Sequence, residues 1–161
     1  MRKRVKYSGF CWLVTTLALA LTGASAAYAV CSEAEPWVKW VIGVGVAMMV
    51  TAPLLYAPVS IAVDAQHISI RRPLMVKQIP LSEVAAVRMC QPTMAESKLC
   101  GSSAYFGYWG WFSQTDTGRY FAYYGKASDC FLITLRDGRK YLLGCNDGAS
   151  MAGFISRLAG V

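Results

Sequence analysis

Hydrophobic positions along this chain change their spacing several times, and each change marks an element. From Trp40 to Tyr56 the run WVIGVGVAMMVTAPLLY carries no charge, and Val38, Pro58, Ile61 and Val63 extend its apolar flanks. At about 1.5 Å per residue such a helix spans a bilayer core of about 30 Å. An earlier uncharged run, FCWLVTTLALALTGASAAYAV from Phe10 to Val30, follows Arg2, Lys3, Arg4 and Lys6. Two readings of it compete: a retained membrane helix, or a signal peptide cleaved at the small residues around Ala27 and Ala29. Its 21 residues and the second span close behind it point to retention. A lipoprotein reading is weaker, because Val30 stands where a small residue precedes a modified cysteine, here Cys31. Gly23 with Ala27 and Gly43 with Ala47 are small residues four apart; they either let the two helices approach closely or reflect ordinary membrane-helix composition.

After Pro58 the period becomes two. Ser60 to Val63, His67 to Arg71 and Met75 to Ile79 alternate as short strands, with turns at Asp64 to Gln66 and at Arg72-Pro73. Leu81 to Val84 suits one helical turn before a strand over Ala85 to Met89. Gln91 to Gly118 is turn-rich, with glycines at 101, 107, 110 and 118. Gly118 to Tyr124, Cys130 to Leu135 and Lys140 to Cys145 follow as strands, the last two around the hairpin signal Asp137-Gly138. A two-residue turn there sets Cys130 opposite Cys145, whereas a three-residue turn with a glycine bulge sets it opposite Gly144. Asp147 then caps a helix whose Met151, Phe154, Ile155 and Leu158 share one face.

The pattern therefore divides the chain into a membrane region, 1–57, with spans at about 10–30 and 38–57, and one folded domain, 58–161. Basic residues precede the first span, and Arg71, Arg72 and Lys77 follow the second, while the connecting CSEAEP is acidic. That asymmetry places both ends on the cytoplasmic side. The domain begins within a few residues of the second span, so it lies against the bilayer surface.

Composition adds little to this picture. The apolar fraction of 55% follows from the two spans. The net charge of +7 splits into +3 over residues 1–63 (five cations, two acids) and +4 over 64–161 (eleven cations, seven acids). Neither part is basic enough to require nucleic acid.

Candidate chemistry is sparse. The single histidine, His67, lies on a strand, no phosphate-loop or metalloprotease motif occurs, and the acids of the domain are scattered, so an enzyme is hard to assemble. Cys90, Cys100, Cys130 and Cys145 are spaced by 10, 30 and 15 residues, without the CxxC pairs of a zinc site, and read as reduced thiols. No cofactor is implied. The unusual stretch is Tyr105 to Tyr124, which holds ten of the chain's 20 aromatics. These rings either fill the core or form a partner surface; Tyr108, Trp109 and Trp111 are the candidates for the latter. Arg71, Arg72 and Lys77 are candidates for contact with anionic headgroups, against the plainer reading of topology signals and a solvated strand edge.

The run IPLSEVAAVR (79–88), the aromatic GYWGWF with GRYFAYYG, and CFLITLRDGRKYLL (130–143) together resemble the bacterial PH-like domains found behind a membrane hairpin, over about residues 58–158. The resemblance implies an antiparallel barrel of about seven strands closed by a C-terminal helix; with the two spans and their flanking charges, the expected place is the cytoplasmic membrane of a bacterium. The resemblance also implies an unassigned binding or scaffolding role, without catalytic residues; the leading reading is a membrane-anchored interaction module that acts on another membrane protein or on a second copy. The alternative is a sensor of anionic lipid at the inner leaflet. The adjacent Arg71-Arg72, then Pro73, then Lys77 do not match the spaced cations of phosphoinositide-binding PH domains.

Overall fold

The computed structural model describes residues 1–93 and 97–161. Helices α1 (Gly9–Cys31) and α2 (Pro36–Tyr56) form an antiparallel hairpin. Their 23 and 21 residues correspond to about 34 and 31 Å, each long enough for a bilayer core. Ser8 caps α1 by accepting a hydrogen bond from the Cys11 amide, and Pro36 opens α2 where its missing N–H leaves no bond unmade. Ala18, Thr22 and Ser25 of α1 and Ile42, Val46 and Met49 of α2 line a groove between the helices. Gly23, Ala27, Gly43 and Ala47 instead lie on exposed faces, so they do not bring the helices together.

Two sheets follow. The first is ordered β1 (Arg2–Arg4), β2 (Ser60–Val63), β3 (His67–Arg71), β4 (Val76–Pro80), antiparallel throughout. The second comprises β5 (Val84–Met89), β6 (Ser97–Ser102), β7 (Tyr108–Gln114), β8 (Gly118–Tyr124), β9 (Cys130–Leu135) and β10 (Lys140–Gly144). Its spatial order is β5-β9-β10-β8-β7-β6. Only three residues separate α2 from β2.

This arrangement departs from the expected antiparallel barrel of about seven strands. The described residues form ten strands, no strand of one sheet bonds to the other, and the β8–β10 pair is parallel. Two of the extra strands, β6 and β7, occupy the stretch read as turn-rich. Gly101 and Gly110 face each other there with φ of +133° and +125°. A Cβ on either would lie 2.2 Å from the opposing carbonyl oxygen. Those glycines permit a close backbone crossing within a strand pair rather than ending strands. The other addition, β1, comes from the basic residues ahead of the first span.

Alternation along the second sheet gives it two apolar faces. One, bearing Trp109, Tyr123, Phe131, Ile133 and Leu143, packs with Ile61, Ile68 and Ile70 of the first sheet and with Met151 and Ile155 of α3 (Gly148–Ala159). The other carries Phe112, Tyr120, Ala122, Tyr124, Leu132 and Leu142, with Cys90 against it. Val76 is 50% exposed at the sheet edge, and Leu158, on the same helix face as Met151 and Ile155, is 43% exposed near the end of α3. At the β9–β10 turn, Gly138 has φ +84° and Cys130 pairs with Gly144, the three-residue register.

Candidate lipid and partner surfaces

The N-terminal segment is built into the domain. Arg2, Lys3 and Arg4 pair with Ala62, Ile61 and Ser60, and the Lys3 ammonium reaches the Asp147 carboxylate at 3.2 Å. Val5 is buried in the main core, and the Tyr7 hydroxyl donates to the Pro58 carbonyl at 2.5 Å. Burial, with a smaller contribution from Cys11, pushes the Tyr7 phenol up to about 12. Gly125 allows this passage, because a Cβ there would sit 2.6 Å from the Lys6 carbonyl oxygen. Residues assigned from sequence to the membrane region thus complete a sheet of the domain.

Two turns of the domain bind the helices directly. Between β6 and β7, the Thr15 hydroxyl of α1 accepts from the Phe106 amide at 3.0 Å and donates to the Ala104 carbonyl at 3.5 Å. The Tyr105 hydroxyl donates to the Met49 carbonyl of α2 at 2.9 Å, while the Tyr105 carbonyl accepts from Ser102 Oγ and Trp109 Nε1. These bonds satisfy polar groups of a turn lying beside two apolar helices. The second turn, between β3 and β4, brings the Leu74 amide to the Leu54 carbonyl of α2 at 3.2 Å. That carbonyl would ordinarily accept from residue 58, but Pro58 has no N–H, so the turn supplies the missing donor.

Trp109 lies at this junction. Its ring stacks on Tyr56 at the end of α2, with centroids 5.5 Å apart and planes at 12°, and it is 9% exposed. Of the three aromatics predicted for a partner surface, Trp109 is therefore buried between helix and sheet. Tyr108 points to the opposite face and stacks on Tyr124 at 4.6 Å. Trp111 alone is well exposed, at 44%, resting edge-on against Phe121. It neighbours β6, which among the described residues pairs only with β7 and is exposed from Ser97 to Gly101.

The predicted cationic trio is divided as well. Arg72 turns inward, its guanidinium 5.9 Å from the Tyr56 ring centroid and 6.0 Å from that of Tyr123. Its Nε is buried without a hydrogen-bond partner among the described residues, and the ring faces offset that burial by cation–π attraction. The Tyr123 phenol is pushed up to about 12 by burial, against the opposing pull of Arg72. Lys77 places its ammonium 4.6 Å from the Tyr141 ring, so both cations bridge the gap where the sheets do not bond. Arg71 faces outward. The register sets Arg4, Ser60 and Arg71 in one row across three strands, Ser60 having a buried hydroxyl without a hydrogen-bond partner among the described residues. Arg2, Ala62, Ser69 and Gln78 form the next row of the same face, around a trough of about 470 Å³. Sequence reasoning missed Arg2 and Arg4 as members of this surface because it used them only to orient the first span.

Groups suited to chemistry stay apart. His67 is half-buried on β3, and no cluster of metal-binding side chains occurs among the described residues. Cys145 is buried, and desolvation, the largest influence, pushes its thiol up to about 12, far from a reactive thiolate.

A family model described as the bacterial PH domain matches residues 59–158. The chain belongs to that family. The match covers both sheets from just before β2 onward and nearly all of α3, leaving β1 and the two helices outside the PH segment. Comparison with curated proteins and with solved structures gives no match. The PH domain of this chain thus takes in a strand from beyond its own segment, across the helix hairpin.

Proposed function

We propose that this chain is a membrane-anchored PH module without catalytic activity. In this reading it binds another membrane protein, or a second copy of itself, through Trp111 and the edge of β6. The observation that carries the proposal is the pairing of a large exposed ring with an exposed sheet edge. An edge strand offers backbone donors and acceptors to an extended segment, and an adjoining tryptophan supplies apolar contact. Trp109 is buried and Tyr108 half-buried on the opposite face, so Trp111 is the ring of the three placed to meet the partner. The basic N-terminus and the acidic link between the helices favour an arrangement with both ends and the domain on the cytoplasmic side of a bacterial membrane. Pairing of β1 with β2 supports it, since residues on both sides of the hairpin share one sheet.

Crosslinking of the full-length chain in native membranes tests the proposal. Trp111→Ala is expected to abolish a crosslinked species while changing stability by less than about 1 kcal/mol, as for an exposed site. An unchanged crosslink pattern would reject Trp111 as the contact. A second reading, a sensor of anionic lipid, draws on the outward row of Arg4 and Arg71. If Arg4→Ala with Arg71→Ala weakens a preference for anionic nanodiscs, and added salt does the same, that reading gains over the first.

A further inference from the structure

Apart from Pro73, the turn between β3 and β4, Arg72-Pro73-Leu74-Met75, lacks the residues that solvated turns favour. Leu74 is 65% exposed and Met75 51%. Single exposed apolar residues are ordinary, but this pair continues a larger surface. The Leu74 amide is bonded to the Leu54 carbonyl, and α2 exposes Met48, Met49, Val50 and Leu54 over its last turns. We propose that this turn is a bilayer-inserting wedge, placing Leu74 and Met75 among the acyl chains of the leaflet on the domain's side. The proposal rests on the reading of α1 and α2 as membrane spans.

Length decides where that leaflet lies. The β6–β7 turn reaches Met49, seven residues before the end of α2, or about 10 Å along its axis. If everything level with the domain lay in water, only about 20 Å of α2 would remain for a core of about 30 Å. The last turns of α2 must therefore be within lipid, and Leu74, beside Leu54, enters with them. The start of α1 agrees, since Phe10, Trp12 and Leu13 are each at least 60% exposed there. Exposed Arg71, next to the turn, stands where a cation can meet phosphate groups at the leaflet surface.

Thiol accessibility of the full-length chain in phosphatidylcholine–phosphatidylglycerol nanodiscs tests the wedge. Leu74→Cys, Met75→Cys, Val44→Cys in mid-α2 and Asp137→Cys at the far hairpin are treated with a water-soluble maleimide. Tags beyond those on the native cysteines are counted by intact mass. Thiols within hydrocarbon neither ionise nor meet the reagent, and the chain itself leaves position 74 open. Leu74→Cys and Met75→Cys are expected to react at least tenfold more slowly than Asp137→Cys, as Val44→Cys does. Reaction at the Asp137→Cys rate, with Val44→Cys still protected, would overturn the wedge and leave the membrane anchor standing. Fast reaction of Val44→Cys would overturn the anchor and the wedge together.

Discussion

Trp109 and Trp111 lie two positions apart on one strand and share a face, yet only one of them is covered. The cover over Trp109 is Tyr56, 53 positions earlier, together with the turn that accepts its indole N–H. Alternation within Tyr108 to Gln114 shows that the two indoles point the same way; what lies above each depends on where α2 ends, which no local pattern records. Trp109→Ala should therefore cost about 3 to 5 kcal/mol in chemical unfolding, against less than about 1 for Trp111→Ala. Equal costs would contradict the placement. Asp147 gives a second prediction at this scale. Its carboxylate accepts from the Ser150 amide and pairs with Lys3. The Ser150 side chain first, then Lys3, and after them the Ser150 amide hold its pKa below the ordinary value. A depressed folded-state pKa means stabilisation present above the unfolded pKa of about 3.9 and lost as pH falls through the lower folded value. Asp147→Asn, which keeps a capping oxygen and tolerates the left-handed backbone (φ +61°), should flatten melting temperature against pH in that acidic window. An unaltered pH profile would remove Asp147 from the account.

At the scale of elements, the strands read from strict alternation, β2 to β5 and β8 to β10, stand within a residue of where the pattern put them, as does α3 behind its Asp147 cap. The β6–β7 pair was hidden because glycine marks both turns and close backbone crossings, and only the partner strand tells which. Gly110→Ala separates the two uses. A Cβ there meets the Cys100 carbonyl oxygen, so the substitution should cost more than about 1 kcal/mol and remove hydrogen-exchange protection from residues 97–102. Retained protection would mean that the crossing has slack. β1 was hidden for another reason: a basic N-terminus ahead of an apolar run is a topology signal in its own right, and three residues are too few to show a period. The division of Arg71 from Arg72 and Lys77 was likewise out of reach, since it depends on which rings lie beneath β4 and the turn before it.

Across the whole molecule, the helix hairpin and the PH domain share hydrogen bonds at Thr15, Met49 and Leu54, the Trp109–Tyr56 stack, and a strand contributed from the far end of α1. A domain tied in this way moves with its helices, so its surfaces keep a set position and orientation relative to the hairpin. The arrangement requires that the residues before α1 and those after α2 lie on the same side. It also requires that α1 be kept, because cleavage behind it would strip β1 and Val5 from the first sheet and core. Epitope tags at both ends of the chain, followed by protease treatment of spheroplasts and of inverted membrane vesicles, test this directly. The account predicts one full-length species, with both tags protected in spheroplasts and both removed in inverted vesicles; tags on opposite faces, or a mature chain beginning beyond α1, would contradict it.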